Sequence, residues 1–398
     1  MSFIKLYQEY AAEFTDAPAI FHHRLSLLIM STVLNRRVYL RQGFRNLYPN
    51  LWLLILAPST FYRKTYSISI AKDLIAETED GLVIPNRFST EGLSDHLNEH
   101  PQAIFMFDEF KDLMAQLNKK YNEDAKGFIM SSYECPNKLS LGLRSKRGKK
   151  LPNPDVDMDA GQDKNWILNP FLNIVSASTI EWFRESLSAS DIAGGFLPRF
   201  FVVKSYPKER SAAWQENNDL EKKEVLINIL RRFQTISGEM SITPAARKHF
   251  TEWYSNFDQR RRDESGPLAP FYSRLADEYA KKFAMLFAID RKAGLTIEKE
   301  DIDTACGLAD NCVNELREIL DGTGNSFYEK ERRKVEEFLT KNSTSTRVQL
   351  YRAVRIRSRI LDEIIAELVA GDKISAQKEE APDSRGAMKT TTIYRWEG

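Results

Sequence analysis

The spacing of apolar residues changes several times along the chain, and each spacing predicts a class of element. Apolar positions recur every three or four residues through FIKLYQEYAAEF and FHHRLSLLIMSTVL, which predicts helix over residues 3–48. Continuous apolar runs then alternate with helical stretches, in the order LWLLILA, GLVIPNRF, QAIFMFDEF, FLNIVSAST and RFFVVKS. Buried strands separated by helices indicate a mostly parallel sheet covered on both faces. The predicted fold class is therefore α/β.

Beyond Lys204 the pattern predicts only helices, up to a linker signal in DGTGNS at residues 321–326. The last segment predicts three helices, the third closed by Gly371, and then a strand pair around a polar loop, which together indicate a winged helix. We therefore expect four regions: a helical N-terminal segment at 1–47, an α/β core at 48–206, a helical domain at 207–325 and a winged-helix domain at 326–398.

Charge and composition exclude several classes of protein. The 57 basic and 56 acidic residues nearly cancel, so any binding to nucleic acid must come from local patches. Three cysteines and five histidines are not spaced as metal ligands. No apolar run is long enough to cross a bilayer, and the N-terminus lacks the layout of a signal peptide. We expect a cytoplasmic protein with no membrane partner.

The stretch LWLLILAPSTFYRKT combines a buried strand, a loop and the start of a helix, with Lys64 and Thr65 at the bend. This order suits a phosphate-binding loop, because a lysine, a hydroxyl and the helix dipole all favour an anion there. The loop has no glycine, however, so positive φ is difficult to reach and Arg63 is expected to add charge instead. The alternative is an ordinary strand-turn-helix with a solvated lysine.

A second strand, AIFMFDEF, ends in two adjacent carboxylates, Asp108 and Glu109. Ligands of open α/β sheets bind at the carboxyl ends of the strands. Two carboxylates at the end of a buried strand are costly unless they bind a metal or polarise water. We expect Asp108 to hold Mg²⁺ and Glu109 to orient a water molecule, against the alternative that both cap the next helix.

Two further stretches contain candidate site residues. FLNIVSAST runs into small polar residues, so Asn173, Ser176 and Ser178 are candidate sensors of the γ-phosphate. In GGFLPRF, Arg199 follows a glycine turn and enters a strand, where an arginine is able to reach the nucleotide of a neighbouring subunit. The alternative for Arg199 is a structural ion pair with Asp191.

Five stretches together resemble a family of P-loop ATPases carried by phages, plasmids and other mobile elements, which is helicase/primase-like with an AAA+/RecA-like core. They are FHHRLSLLIMSTVLNRRVYL, YPNLWLLILAPSTFYRKT, AIFMFDEFKDLM, NPFLNIVSAST and GGFLPRF, and they cover about residues 15 to 205. The resemblance implies that residues 48–206 are a P-loop ATPase core that binds ATP and Mg²⁺. It assigns the following residues: Ser59, Arg63, Lys64 and Thr65 to nucleotide, Thr65 and Asp108 to metal, Glu109 and Arg199 to catalysis.

The helical region 207–325 is similar to the lid of AAA+ motors, above all of replicative helicases. This similarity places Arg274, near the start of FYSRLADEYAKKFAMLFAI, beside the γ-phosphate. It also implies a ring-shaped homo-oligomer. The alternative for Arg274 is a surface arginine.

Two basic patches indicate DNA binding. LGLRSKRGKK resembles the DNA-gripping hairpin of ring helicases and contains Arg144, Lys146, Arg147, Lys149 and Lys150, although such runs are also common in solvated loops. In the winged helix, arginines lie on the second helix and the start of the third, which enters the major groove in helix-turn-helix docking. The candidates there are Arg347, Arg355, Arg357, Arg359 and, beside the wing, Lys389. Winged helices also serve as protein-docking modules.

The function expected from these motifs is an ATP-dependent motor that acts on DNA, such as a helicase or a replication-initiation ATPase of a mobile element. The alternative is a DNA-binding initiator or adaptor with a degenerate site that does not hydrolyse nucleotide, which the glycine-free loop favours. A nuclease or primase is a weaker third hypothesis, because beyond Asp108 and Glu109 the acidic loop DVDMD at residues 155–159 is the one other candidate for two-metal chemistry.

Overall fold

A computed structural model describes most of the chain and divides it into two compact units, Met1–Arg317 and Glu318–Gly398. The described residues are 2–79, 81–119, 124–140, 166–186, 191–192, 194–204, 208, 210–211, 214, 220–263, 268–292, 294–320, 326–354, 356, 358–371, 373–382 and 388–397.

The first unit begins with two helices, α1 (Phe3–Phe14) and α2 (Ala19–Leu34). The predicted helix does not continue to residue 48, because Asn35 adopts a left-handed φ of 42° and ends α2. An antiparallel hairpin follows instead, formed by β1 (Val38–Gln42) and β2 (Arg45–Leu47). Along VYLRQ the burial falls from Val38 to the exposed Arg41 and Gln42, so β1 runs from the interior out to the exposed end of the hairpin.

The core of this unit is a five-stranded, all-parallel sheet, which confirms the α/β class. Its order is β4-β5-β8-β3-β9. The strands are β3 (Trp52–Leu56), β4 (Val83–Ile84), β5 (Gln102–Phe107), β8 (Phe171–Ser178) and β9 (Phe201–Lys204). A separate antiparallel pair consists of β6 (Lys138–Ser140) and β7 (Trp166–Leu168). Strands β3 and β8 are buried throughout, as their continuous apolar runs predict.

Helices follow the strands of the core. They are α3 (Lys64–Thr78), α4 (Thr90–Glu99), α5 (Phe110–Leu117), α6 (Ala125–Tyr133), α7 (Ile180–Ser186) and a short 3₁₀ turn (Leu197–Arg199). Parallel pairing sets Leu56 opposite Ser178 and Ser176 opposite Phe107. The carboxyl ends of β3 and β8 are therefore level, and β5 ends within two residues of them at the same edge of the sheet.

The region after Lys204 is mainly helical but contains two strands that the sequence did not predict. Its helices are α8 (Leu220–Gln234), α9 (Pro244–Asp263), α10 (Ala269–Arg274), α11 (Ala280–Lys292) and α12 (Lys299–Leu320), with a π-helical turn (Leu275–Tyr279) between α10 and α11. The strands β10 (Gly238–Ile242) and β11 (Thr296–Ile297) join β1 and β2 in a four-stranded sheet. Among the described helices, none has the length and apolarity needed to cross a membrane.

The second unit contains α13 (Ser326–Asn342), β12 (Thr344–Thr346), α14 (Arg347–Val354), α15 (Ser358–Ala370), β13 (Ile374–Pro382) and β14 (Met388–Trp396). Three helices and a strand pair thus follow one another in the predicted order. The short strand β12 adds to them and completes an antiparallel sheet ordered β12-β14-β13. Leu339, Leu350, Leu361 and Leu368 lie in a shared apolar core, so this unit has a core of its own.

One buried amide connects α2 to the central sheet. Asn173 on β8 is fully buried, accepts a hydrogen bond from the Leu51 amide at 2.7 Å, and donates to Ser31 Oγ at 3.0 Å and Thr32 Oγ1 at 2.9 Å. Because each partner is also buried, loss of the Asn173 side chain leaves unpaired polar groups in the core.

We expect Asn173→Ala to lower the free energy of unfolding by about 1–3 kcal/mol, the usual cost of leaving buried polar groups unpaired. Urea denaturation measures this loss. The matched control, Asn86→Ala, removes an exposed asparagine and should change stability by less than about 0.5 kcal/mol. Equal urea midpoints for the two variants would contradict the structural role of Asn173.

Candidate functional site

A cleft of about 520 Å³ lies at the carboxyl edge of the central sheet. Its size is within the usual range for small-molecule sites. The loop after β3, the end of β5 and the end of β8 all contribute to it. Its lining consists of Ser59, Thr60, Arg63, Lys64, Thr65, Tyr66, Asp108, Glu109, Phe110, Lys111, Ala177, Ser178, Thr179 and Trp182.

The loop between β3 and α3 reaches positive φ without any glycine. Thr60 has φ 68° and Arg63 has φ 48°, so two residues with side chains adopt the left-handed region. The sequence-based expectation that such a loop cannot easily do this is wrong for this chain. The left-handed region costs a non-glycine residue roughly 1–2 kcal/mol, and the surrounding contacts must offset that cost.

Arg63 is the residue that precedes α3, and its side chain makes no capping hydrogen bond to the helix. The first amides of an α-helix have no partner within the helix, and its N-terminus carries a partial positive charge. Lys64 and Thr65, the first two helical residues, both line the cleft. The N-terminus of α3 together with the Lys64 ammonium therefore forms an electropositive wall of the cleft.

Lys64 extends along the loop that precedes it. Its Nζ donates to the Ala57 carbonyl at 2.6 Å and to the Pro58 carbonyl at 2.9 Å. Burial lowers the pKa of Lys64, while the carboxylates of Glu109 and Glu181 act in the opposite direction. Both carbonyls are neutral acceptors, so the positive charge of Lys64 is not cancelled by an ion pair in the loop.

An ion-pair cluster anchors the same loop. Arg63 Nε lies 2.8 Å from Asp16 Oδ1, and Lys208 Nζ lies 2.9 Å from Asp16 Oδ2. Lys208 Nζ also lies 4.2 Å from the centroid of the Phe61 ring. Neither Phe61 nor Tyr62 lines the cleft, so these aromatic rings do not fill it. The Arg63 guanidinium, expected to contact nucleotide, pairs with Asp16 in this structure.

Asp108 and Glu109 follow β5 and are both exposed in the cleft. Neither carboxylate is buried. The expectation that this position is costly for two carboxylates unless they bind a metal or polarise water is therefore wrong. Glu109 Oε2 lies 2.5 Å from Lys111 Nζ, and the hydrogen bond to Glu109 raises the pKa of Lys111. Within the described part of the chain, no hydrogen bond or ion pair engages Asp108. Its carboxylate is available to a ligand.

The expected Mg²⁺ ligands, Thr65 and Asp108, both line the cleft. Across the residues that the structure describes, no group of three or more His, Cys, Asp or Glu side chains is placed to hold a metal ion. Mg²⁺ commonly takes only one or two protein ligands and completes its shell with water and substrate phosphates. A hydroxyl and an unpaired carboxylate in one cleft fit that requirement.

The three candidate sensors occupy different positions along β8. Ser178, at the end of the strand, lines the cleft. Ser176 is fully buried, and its Oγ has no hydrogen-bond partner. Asn173 lies in the core, where it joins α2 to the sheet. Of the three, only Ser178 lines the cleft. Asn173 and Ser176 lie earlier on β8, inside the sheet.

Arg199 and Arg274 do not line the cleft. Arg199 precedes β9, so it lies toward the opposite edge of the sheet. The two guanidiniums share Glu134, with Nη2 to Oε1 distances of 2.8 Å for Arg199 and 3.1 Å for Arg274. Both lie over the Tyr133 ring. Their observed partners lie within this chain and away from the candidate nucleotide position.

Most of the candidate DNA-binding residues are not among the residues that the structure describes. This holds for Arg144, Lys146, Arg147, Lys149, Lys150, Arg355 and Arg357, and for the acidic loop at residues 155–159. Arg359 belongs to α15 and Lys389 belongs to β14, but the structure does not describe the side chain of either residue. Arg347 forms a two-pronged ion pair with Asp362, at 2.6 Å from Nε and 2.8 Å from Nη2. That pair lowers the pKa of Asp362.

Several residues that line the cleft were not predicted from the sequence. Tyr66 and Trp182 contribute aromatic rings, and Lys111 contributes a third cation beside Arg63 and Lys64. Thr179 accepts a hydrogen bond from the Trp182 amide at 3.1 Å, as a residue at a helix start does. A threonine directly after a strand and before the helical pattern IEWFRES is a usable signal, whereas the orientation of Tyr66 and Trp182 is decided by packing.

The comparisons with known proteins add nothing to the geometry of the cleft. No family model matches the chain, and no curated protein matches it significantly.

We expect Thr60→Gly to stabilise the protein by up to about 1 kcal/mol, because glycine tolerates the left-handed φ of this position without strain. Thermal or urea unfolding of the ligand-free protein measures the change. Ser59→Gly, at the neighbouring position without positive φ, should instead destabilise by roughly 0.5–1 kcal/mol. The loop geometry is refuted if both glycine variants destabilise equally.

Proposed function

We propose that this chain is an ATP-dependent motor that acts on DNA, with ATP hydrolysis in the cleft coupled to DNA binding or translocation. The observation that carries the proposal is the convergence of Lys64, Thr65, Asp108 and Glu109 on one cleft at the carboxyl edge of the sheet. Two motifs far apart in the sequence meet there, as a triphosphate site requires. The resemblance to mobile-element P-loop ATPases supports the same assignment.

Each cleft residue has a role in this proposal. The Lys64 ammonium and the first amides of α3 bind phosphate oxygens. Thr65 and Asp108 would hold Mg²⁺, which neutralises charge on the phosphates when it is bound. Glu109 accepts a proton from the attacking water and orients it toward the γ-phosphate, and Ser178 lies beside that position. Arg199 is assigned to the nucleotide of a neighbouring subunit in a ring-shaped oligomer. Arg274, predicted to contact the γ-phosphate from the lid, instead pairs with Glu134 and Glu278 and does not line the cleft.

The second unit supports the DNA part of the proposal. Its three helices and three-stranded antiparallel sheet have the element order of a winged helix. Arginines cluster from Arg347 to Arg359 with no acidic residue in between. In helix-turn-helix docking, this part of the domain approaches the major groove. We propose DNA replication of a mobile element as the process served, with a protein-docking role for this unit as the alternative.

Two observations favour the alternative of a DNA-binding initiator or adaptor that does not hydrolyse nucleotide. Glu109 is engaged by Lys111 at 2.5 Å, so the expected water-orienting carboxylate already has a partner. The loop before Lys64 has no glycine, and its lysine contacts its own backbone carbonyls. Both arrangements suit a nucleotide-dependent switch better than a hydrolase, because the lysine and the carboxylate already have partners within the chain.

The deciding experiment is ATP hydrolysis by the full chain with and without single-stranded DNA. We expect turnover that rises with DNA, and we expect Lys64→Ala to abolish it through loss of phosphate binding. Lys72→Ala, an exposed lysine later on α3, is the matched control and should retain activity. Glu109→Gln should lose turnover while it retains ATP binding, because only the carboxylate that orients water is changed. DNA binding without hydrolysis under all conditions would favour the adaptor.

The Glu109–Lys111 pair generates a further prediction. An exposed ion pair is worth at most about 1 kcal/mol, so Lys111→Ala should free Glu109 and raise DNA-independent turnover by up to about fivefold. Steady-state ATPase rates measure this. The double variant Lys111→Ala/Glu109→Gln should show no rise, and a rise in that variant would refute the role assigned to Glu109.

For the second unit, we expect Arg355→Ala/Arg357→Ala/Arg359→Ala to weaken binding to duplex DNA. Each lost phosphate contact lowers the slope of log affinity against log salt by about 0.9, so three contacts lower it by about 2.7. Fluorescence anisotropy over a salt series measures the slope. Arg333→Ala, an exposed arginine on α13, serves as control, and an unchanged slope in the triple variant would favour the protein-docking alternative.

A further inference from the structure

The hairpin of β1 and β2 exposes a phenylalanine at its tip. Gln42 pairs with Arg45, which leaves Gly43 and Phe44 as the two turn residues. Gly43 has φ +60°, a conformation favoured by glycine in such turns. Phe44 is 86% exposed, more than any other described phenylalanine among the exposed apolar residues. A single exposed ring is ordinary by itself, so its surroundings decide whether it binds a ligand.

Two arginines flank this ring and have no acidic partner. Arg45 lies with its guanidinium carbon 5.1 Å from the centroid of Phe44. Arg41 donates to the neutral Asn46 amide oxygen at 3.1 Å. No ion pair reaches Arg41 or Arg45 within the described ranges. The local sequence favours the same charge, because no aspartate or glutamate occurs between Asp16 and Asp73.

Carboxylates line the same clefts as the hairpin, Glu134 in both and Asp277 and Glu278 in one, but each has a cationic partner. Glu134 and Glu278 both form ion pairs with Arg274. Asp277 lies 3.7 Å from Arg261. The charges of Arg41 and Arg45 are therefore not neutralised by these neighbours, and the hairpin attracts anions.

Clefts on the hairpin provide space for a chain-like ligand. One of about 540 Å³ and one of about 390 Å³ are both lined by Phe44, Arg45, Asn46 and Tyr48. Arg41 lines the larger one. The ring and both guanidiniums thus face the same concave surface, which is open to solvent.

We infer that this hairpin binds single-stranded nucleic acid, with one base stacked on Phe44 and adjacent phosphates held by Arg41 and Arg45. Stacking on an exposed aromatic ring beside cationic side chains is the general mode by which proteins hold single strands. A folded protein partner fits less well, because the unpaired charges are all positive and the apolar surface is a single ring.

The inference rests on the proposed function and deepens it by assigning a strand-contacting site within the first unit. The hairpin ends at Leu47, just before β3 begins, whereas the ATP cleft follows the other end of β3. The two sites therefore lie toward opposite edges of the sheet, and each can be occupied while the other is empty.

The test uses the full chain without nucleotide and oligothymidylate in which single thymines are replaced by 5-iodouracil. Irradiation links this base to an aromatic ring stacked on it, and mass spectrometry of the peptides identifies the ring. We expect a cross-link at Phe44 and an affinity at least about fivefold weaker for Phe44→Ala, since one stacked base contributes that much or more. Trp214→Ala, which removes another highly exposed ring, is the control.

A salt series tests the arginines. Arg41→Ala/Arg45→Ala should lower the slope of log affinity against log salt by about 1.4, at about 0.7 for each single-strand contact. The control is Arg231→Ala/Arg232→Ala, which removes two exposed arginines from α8. Equivalent oligonucleotides of DNA and RNA distinguish the two sources of a single strand, and tight binding of either supports the inference.

The inference is overturned if single strands cross-link elsewhere and Phe44→Ala binds them as the unchanged protein does. It is also overturned if neither DNA nor RNA single strands bind. Failure of the motor proposal gives a different result, because a Phe44 cross-link then persists in a protein that hydrolyses no ATP.

Discussion

Parallel pairing of three strands is the constraint on which the rest of this structure depends. β8 lies between β3 and β5, with Leu56 opposite Ser178 and Ser176 opposite Phe107, so all three strands end within two residues of one another. Whatever follows each strand must then meet at one edge. The Asn173 side chain holds the amino end of this arrangement, because it binds the Leu51 amide and two hydroxyls of α2 inside the core. A slip of one residue between these strands would break those bonds and separate Lys64 from Asp108.

The loop that follows β3 shows how a strand-to-helix loop can adopt left-handed backbone angles without glycine. Thr60 and Arg63 adopt left-handed φ, and the ion pair of Arg63 with the buried Asp16 offsets part of the strain. Lysine-to-carbonyl hydrogen bonds hold Lys64 along the loop. Glycine at these two positions would reach the same dihedral angles at no steric cost but would not supply the Arg63 guanidinium. The side chains in this loop therefore exchange backbone freedom for positive charge, which suits a site for a highly charged ligand.

The opposite edge of the sheet has a different electrostatic character. There Glu134 is shared by Arg199 and Arg274, and the buried Lys282 donates to Asn50 and Tyr133. Paired charges of this kind are satisfied locally. Among the residues that the structure describes, Arg41 and Arg45 of the β1–β2 hairpin have no ion pair and therefore contribute positive potential there. One compact unit thus offers an electropositive cleft at one edge of its sheet and a basic, aromatic-tipped hairpin toward the other.

The sequence by itself determined the α/β class, the positions of the central strands and the helices that separate them, because continuous apolar runs and helical periodicity are local properties. It also brought Lys64, Thr65, Asp108, Glu109 and Ser178 forward as candidates, since residues after parallel strands must share an edge. Tertiary structure alone decided which polar side chains leave the core: Asn173 and Ser176 face the interior, while Trp182 and Tyr66 face the cleft. The sheet of β1, β2, β10 and β11 likewise depends on pairing between segments distant in the chain, and strands this short carry too little local pattern to predict.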